Sequence, residues 1–411
     1  MLAGHQQVEA TFRAEHGRVF AHLVGAFGDF DAAQDAIQEA YARALEHWVD
    51  GVPERPGAWI TAVARNRVLS RRRHDGVVAR THGALAAQDE REANYDPDAQ
   101  EVPDDRLRLL FTCCHPALAE PARIALTLRT VCGLSTAAIA RLFLQPEATV
   151  AQRLVRAKKK IRRAGIPYEV PGASRLAERI DDVLSCVYLT FTAGYAGVEG
   201  DRFSQPELCA EAIRLSRVMV HAFPSHGEAR ALLALTLFVH SRRDTRLDPA
   251  GAIVTLSEQD RSRWDRAAIV EGERQLEGAL GSGARGPFAL QASIAALHAT
   301  AATAAATDWP QIAGLYRELL RVLPGPAVAV ASAIAESNAE SAAVGLQALE
   351  QLVASGVVPA DFDRLPAAQA DLLHRAGHRQ RAAEAYRDAI RGARHPSEAA
   401  LLRQRLAALR D

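Results

Sequence analysis

The chain has 411 residues, 48% of them hydrophobic and 24% charged, and its 49 basic residues (Lys and Arg) balance 49 acidic ones. This composition is typical of a globular protein and excludes a fibrous or disordered chain, while the length favours two or three domains. No stretch resembles a membrane span, and the N-terminal segment lacks the basic and apolar regions of a signal peptide. Five Cys, an odd number, fit a reducing compartment better than a disulfide framework. We therefore expect a cytoplasmic protein without membrane contacts.

Charge is distributed unevenly along the chain. Residues 86–105 contain eight acids and one Arg, whereas residues 106–168 contain twelve Lys and Arg against two acids. All three lysines of the chain stand together at 158–160. The basic segment favours an anionic partner, although a solvated helical face would have the same composition.

The apolar residues predict an all-α protein. Nearly every apolar segment follows the 3.6-residue helical period, and runs typical of strands are missing. We expect helices over 5–73, a polar linker near 75–104, helices over 105–164, and an Ala- and Leu-rich helical array from 174 onwards. The helices predicted in that array are 174–195, 206–222, 227–241, 263–280, 287–305, 310–322, 342–354, 366–376, 379–392 and 396–409.

The end of the array has a repetitive pattern. In LLHRAGHRQRAAEAYRDAIRGA a helix stops at Gly377, and the next helix has residues at packing spacing, namely Ala382, Ala385, Tyr386 and Ala389. This order resembles the second half of a tetratricopeptide (TPR) unit, and IAGLYRELLRVLP is a weaker echo of it. The irregular period predicts a degenerate TPR-like repeat array.

The segment from Leu134 to Ile161 has the pattern of a helix-turn-helix. Ser135 can cap a short first helix, and Glu147 opens a second helix with Val150 turned inward. The outward residues near the start of that second helix can reach base edges in a major groove: Thr149, Gln152, Arg153 and Arg156. The basic residues that follow are better placed for phosphates: Lys158, Lys159, Lys160, Arg162 and Arg163. An ordinary helical hairpin with a basic surface is the alternative.

Two earlier segments carry further candidate surfaces. Residues 27–48 predict a helix with an apolar stripe on one face and an acidic stripe on another. The acidic stripe consists of Asp31, Asp35, Gln38 and Glu39, and it is either solvated surface or a partner site. Residues 53–74 predict a basic helix that Pro56 opens. Aromatic and basic residues in such a setting can hold unstacked bases and phosphates, although Trp59 could also be a core residue.

The chain resembles the sigma-70 family of RNA polymerase sigma factors, extracytoplasmic-function (ECF) type. The resemblance rests on three segments in this order: DAAQDAIQEAYARALEHW, PGAWITAVARNRVLSRRR and the helix-turn-helix. The resemblance implies a second sigma region at 5–74, an acidic linker at 75–104 and a fourth sigma region at 105–168. It also implies promoter DNA and core RNA polymerase as partners, with the acidic stripe binding the clamp helices of the largest subunit.

The resemblance assigns DNA contacts to two groups of residues. The loop from Val49 to Arg55 would capture a flipped base of the minus-ten element, so that its contacts would come from Val52, Glu54, Arg55, Trp59, Arg65 and Asn66. The minus-thirty-five element would be read by Thr149, Gln152, Arg153 and Arg156, with phosphates held by Lys158 and Lys159. Leu144 stands where sigma factors usually have a turn glycine, which predicts a differently built turn.

Residues 176–411 resemble the C-terminal TPR-like extension of one subgroup of these sigma factors. The strings that carry this similarity are LRLLFTCCHPAL, PEATVAQRLVRAKKKI, LCAEAIRLSR, EQDRSRWDRAAI and TDWPQIAGLY. The resemblance implies that the extension (174–411) regulates the sigma regions, with an intramolecular contact between them.

Two further hypotheses, a zinc site and an enzymatic site, are disfavoured by the sequence. Cys113, Cys114, His115 and Cys132 lack the CxxC spacing of a zinc site, and buried thiols are commoner in apolar helices. SEQDRSRWDRA has acids and bases but no nucleophile motif, phosphate loop or metal spacing. A buried charge network that fixes the array, or a contact with the sigma regions, suits it better than catalysis. We expect no metal, no cofactor and no enzymatic activity. The alternatives are a helix-turn-helix regulator with a ligand-sensing repeat domain that does not act through core polymerase, and an enzyme in the array.

Overall fold

A computed structural model of the chain describes residues 2–48, 51–76, 103–143, 145–196, 206–249, 251–393 and 395–409. Within these ranges it has eighteen α-helices and no β-strand, which confirms the predicted all-α class. No helix in the described part of the chain is long and apolar enough to cross a membrane. Most of the predicted acidic linker (77–102) and Leu144 lie outside the described residues. The chain divides into two compact units, Met1–Val218 and Met219–Asp411.

Three helices open the first unit: α1 (Leu2–Phe27), α2 (Phe30–His47) and α3 (Pro56–Gly76). Gly28, with a φ of 68°, ends α1, and Asp29 caps α2 by accepting hydrogen bonds from two backbone N–H groups of its first turn. The helices pack against one another through buried apolar side chains such as Phe20, Ile37 and Ile60. The bundle turns the opposite face of α2 outward, with its acidic residues on it.

Four helices follow: α4 (Pro103–Cys113), α5 (Glu120–Thr130), α6 (Thr136–Leu142) and α7 (Glu147–Arg163). The Ser135 hydroxyl caps α6 by accepting a hydrogen bond from the Ala138 N–H at 3.0 Å. The inward face of α7 is buried against α5 and α6 through Val150, Leu154, Ala157 and Ile161. The predicted helix-turn-helix is therefore confirmed, with the capping residue and the inward residues that the sequence indicated.

Helix α1 also packs against α4 and α5, so the two groups of helices share one compact unit. A Cβ atom added at Gly17 would lie less than 3 Å from the Val131 carbonyl oxygen, closer than side chains come. The Tyr168 hydroxyl lies 2.7 Å from the Ala21 carbonyl oxygen and 3.0 Å from that of Asp105, and thus joins α1 to α4. Only a glycine at position 17 permits α1 to approach the Val131 backbone so closely.

The first helix of the predicted array, α8 (Ala173–Ala196), packs against α4 and α5 in the same unit, and α9 (Pro206–Ala222) follows it. Arg179 donates to the Phe111 carbonyl oxygen of α4, and Arg123 of α5 forms an ion pair with Asp182. All five cysteines are reduced and buried, and burial raises the pKa of the Cys113 thiol. Residues 173–196 therefore cover an apolar face of the helix-turn-helix domain.

The second unit consists of helices that mostly pack against their neighbours in chain order. They are α10 (Gly227–His240), α11 (Arg266–Gly281), α12 (Pro287–Thr300), α13 (Trp309–Val322), α14 (Pro326–Ala339), α15 (Ala342–Ala354), α16 (Leu365–Arg375), α17 (Arg379–Gly392) and α18 (Pro396–Ala408). Tyr386 of α17 is the largest fully buried side chain among the described residues, and Ala382 and Ala389 are buried in the same cluster. The assignment of these helices to TPR units remains a prediction.

The sequence pattern of the array does not predict helix α14. Its residues are buried on several faces, including Ala329, Val330, Ser332 and Ala335, so the sequence has no alternation of an apolar and a polar stripe. The helix predicted at 287–305 ends at Thr300 and is followed by a short 3₁₀ turn. Helical periodicity therefore does not predict a short helix of small residues that is buried between two other helices.

The charged motif at 257–267 joins loops and helix ends in the second unit. Asp265 caps α11 through the Ala268 N–H and pairs with Arg243 at 3.0 Å, and Asp260 caps a short 3₁₀ turn. Arg261 lies over the ring of Trp264, with 4.6 Å between the guanidinium carbon and the ring centre. The network is less buried than the sequence suggested, because Asp260 and Arg263 are exposed.

Candidate nucleic-acid interface

The exposed face of α7 brings together most of the residues predicted to contact the minus-thirty-five element. Thr149, Gln152, Arg156 and Lys159 are all exposed on the side of α7 that faces away from α5 and α6. The Arg156 guanidinium donates to the Gln152 side-chain oxygen at 3.3 Å. This row of donors suits the edges of base pairs in a major groove.

Arg153 is less free than the other residues of this row. It is half-buried, donates to the Gln145 side-chain oxygen at 2.6 Å, and places its guanidinium carbon 5.4 Å from the centre of the Phe143 ring. Gln145 and Phe143 lie in and beside the turn before α7, and neither is among the predicted site residues. No sequence signal links a residue of the turn to one eight positions later on the helix, so this support could be found only from the structure.

Two cations of α7 bond to the second helix of the chain. Lys158 donates to Asp31 Oδ1 at 2.5 Å, and Arg162 donates to Asp31 Oδ2 at 3.0 Å. The Lys158 side chain is 21% exposed, whereas Lys159 and Lys160 are exposed. The predicted phosphate ligand Lys158 and the predicted polymerase ligand Asp31 are therefore partners of each other in the free chain.

The rest of the acidic stripe on α2 is paired with basic residues of α3. Asp35 bonds to Arg71 at 2.6 Å, and Glu39 bonds to Arg67 at 2.5 Å. These residues and the exposed Gln38 line a shallow pocket of about 270 Å³ between α2 and α3. The stripe is therefore a mixed-charge surface. The sequence did not indicate this because the members of each pair lie far apart in the chain, 36 positions for Asp35 and Arg71.

The residues predicted to contact the minus-ten element lie at the start and along the outside of α3. Glu54, Arg55 and Asn66 are exposed, Val52 and Arg65 are half-buried, and Val49 lies outside the described residues. Trp59 is half-buried and meets Trp48 edge to face, with 5.2 Å between the ring centres. Trp59 is therefore partly packed and partly exposed, and base stacking by its exposed part remains a prediction.

The contact between α1 and α5 buries an ionisable ring. His16 is 6% exposed and lies against Gly133, and the described residues offer its Nε2 no hydrogen-bond partner. Burial, helped by the positive charge of Arg129, lowers the pKa of His16 to about 4. The ring is therefore neutral at pH 7, and its protonation would place an unpaired charge in the contact.

Acidification should weaken the first unit through His16. Below pH 6.5 the unfolded chain binds a proton at this residue and the folded chain does not, so the free energy of unfolding falls until the pH reaches about 4. The slope is at most about 1.4 kcal/mol per pH unit. Urea unfolding of the wild type and His16→Gln at several pH values measures it. The stability difference between them should shrink between pH 6.5 and 4, and parallel curves would contradict the burial of a neutral His16.

Comparisons with known proteins agree with this arrangement of helices. The family model of sigma-70 region 2 matches residues 11–76, the model of sigma-70 region 4 matches residues 108–161, and a family of unknown function (DUF6596) matches residues 179–280. These matches define a class of protein with two sigma regions followed by an extension. No solved structure matches the chain significantly.

Two relatives are similar to this chain over different parts of its length. An "Uncharacterized protein R00370" of Rhizobium meliloti is 39% identical over 389 residues, which cover 93% of this chain and 91% of the relative. The "Probable ECF RNA polymerase sigma factor SigI" of Mycobacterium tuberculosis is 26% identical over 186 residues, which cover 43% of this chain and 62% of that protein. The chain belongs to the sigma-70 family, as an ECF-type factor with a C-terminal extension.

Proposed function

We propose that this chain is an alternative sigma factor that binds core RNA polymerase and directs it to promoters, and that residues 174–411 regulate this activity. The observation that carries the proposal is the exposed row on α7, in a chain that also has sigma region 2. Thr149, Gln152 and Arg156 would read bases, with Arg153 held at their edge by Gln145. Lys158 and Lys159 would hold phosphates.

Strand opening and polymerase binding would come from the second sigma region. The loop residues Val52, Glu54 and Arg55 would receive a flipped base, with Trp59, Arg65 and Asn66 along α3 beside it. The stripe of α2 would bind the clamp helices of the polymerase through Asp31, Asp35, Gln38 and Glu39. Since these carboxylates are paired within the chain, polymerase binding would require an exchange of ion-pair partners.

Regulation by the extension is supported by the packing of α8. Its contacts with α4 and α5, among them the Arg123–Asp182 ion pair, connect the start of the extension to the fourth sigma region. A chain cut after Pro171 would lose this cover, so such a truncation would expose apolar surface as well as remove a regulator. Substitutions in the full chain are therefore the better test.

Arg156 and Lys159 should affect duplex binding in different ways. If Arg156 reads a base, Arg156→Ala should cost about 1–3 kcal/mol on the preferred duplex and relax the preference at one base pair. Lys159→Ala should weaken all duplexes alike and reduce the salt dependence by about one phosphate contact. Fluorescence anisotropy with duplexes that the wild type selects from a random library measures both. Equal losses on every sequence for both variants would contradict base reading by α7.

A further inference from the structure

The contact between Asp31 and α7 has the form of a phosphate contact. Each carboxylate oxygen of Asp31 holds one cation, Lys158 on Oδ1 and Arg162 on Oδ2. Two nonbridging oxygens of a DNA phosphate would engage the same two cations in the same way. A phosphate and Asp31 therefore cannot both occupy this position.

The backbone of Asp31 is anchored at the start of α2. It lies in the first turn of α2, where the helix dipole favours a negative charge, and its own N–H donates to the Asp29 side chain at 2.9 Å. The partial burial of Lys158 restricts the other side of the pair. Because the backbone of Asp31 and the stem of Lys158 are already ordered, the pair loses mainly side-chain rotation of Asp31 when it forms.

The base-reading edge of α7 takes no part in this contact. Lys158 follows Gln152 by six residues, and Arg162 follows Arg156 by six, which places each cation about 120° away around the helix. Gln152 and Arg156 remain exposed while Asp31 holds the two cations. The competition therefore concerns the DNA backbone and not the base sequence.

We propose that Asp31 is an intramolecular competitor of promoter phosphates for Lys158 and Arg162. This inference rests on the proposed DNA binding by the fourth sigma region. In the free chain, Lys158 and Arg162 are then unavailable to two DNA phosphate oxygens. A partner that binds Asp31 makes both cations available again. Because such coupling is reciprocal, duplex DNA would favour the binding of that partner to the same degree.

Lysine labelling tests the contact without DNA. The three lysines of the chain are adjacent, so an amine-reactive acetylating reagent and mass spectrometry compare Lys158 directly with the exposed Lys159 and Lys160. Lys158 should react more slowly in the wild type and reach the rate of its neighbours in Asp31→Asn. Glu46→Gln, which removes the same charge from an exposed position of α2, should leave the pattern unchanged.

Duplex binding tests the competition. Asp31→Asn should bind a selected duplex and a scrambled duplex of equal length about threefold to fivefold more tightly than the wild type, and Glu46→Gln should not. The plot of log affinity against log salt should also become steeper for Asp31→Asn, by about 0.9 for each phosphate contact regained.

The outcomes separate this inference from the function on which it rests. Faster labelling of Lys158 together with tighter binding of both duplexes supports the inference. Unchanged binding by Asp31→Asn, or tightening confined to the selected duplex, would overturn it while DNA binding stands. If no variant binds any duplex, the proposed function fails and the inference fails with it.

Discussion

Replacing Gly17 by valine is expected to destabilise the first unit by about 3 kcal/mol. The new Cβ would overlap the Val131 carbonyl oxygen, which is part of the backbone and cannot rotate away as a side chain can. Relief requires α1 to move away from the end of α5, and this movement exposes the buried His16 and the apolar surface around it. Calorimetric unfolding of the full chain measures the loss.

A second helical glycine provides the control for this substitution. Gly314 lies within α13, and apart from its chain neighbours and the backbone of its own helix no described atom lies within 4 Å of its Cβ position. Gly314→Val should therefore change stability by no more than about 0.5 kcal/mol. Equal effects of the two substitutions would show that α1 does not pack closely on Val131 in solution.

Replacing Tyr386 by alanine is expected to destabilise the second unit by about 3–5 kcal/mol. The side chain is 1% exposed and belongs to the apolar cluster formed by α14–α18, so its removal leaves a large cavity among several helices. Arg387→Ala, at the exposed neighbouring position of α17, should cost no more than about 0.5 kcal/mol. Comparable losses for both variants would contradict the central position of Tyr386 in this cluster.

The same pair of variants tests regulation by the extension. If residues 174–411 control the sigma regions, Tyr386→Ala should change transcription from a cognate promoter, upward for an inhibitory extension and downward for a required one. Arg387→Ala should leave it as in the wild type. Unchanged output from a chain whose second unit has unfolded would remove the regulatory part of the proposal.

The sequence predicted those features that depend on neighbouring residues. Ser135 caps its helix, and Val150 and Leu154 face inward, because capping and helical periodicity involve residues only a few positions apart. The buried face of α2 follows in the same way from the spacing of Ala33 and Ile37. Local chemistry was therefore sufficient for the helix-turn-helix and for the order of the helices other than α14.

The remaining features depend on contacts between distant parts of the chain. Asp31 and Lys158 are 127 positions apart, and the close approach of Gly17 to Val131 depends on how two groups of helices meet. The charges of the stripe could be read from the sequence, but their neutralisation by α3 could not. The location of the candidate site was thus predictable, whereas its electrostatic state in the free chain was not.

Run-off transcription with the purified chain and core RNA polymerase tests directly whether the chain acts as a sigma factor. Templates would carry duplexes that the chain selects, placed upstream of a library of minus-ten sequences. We expect initiation at a defined start only when the chain and core polymerase are both present, and loss of that initiation for the double variant Gln152→Ala, Arg156→Ala. Selective duplex binding without initiation would contradict it and would instead favour a DNA-binding regulator that does not act through polymerase.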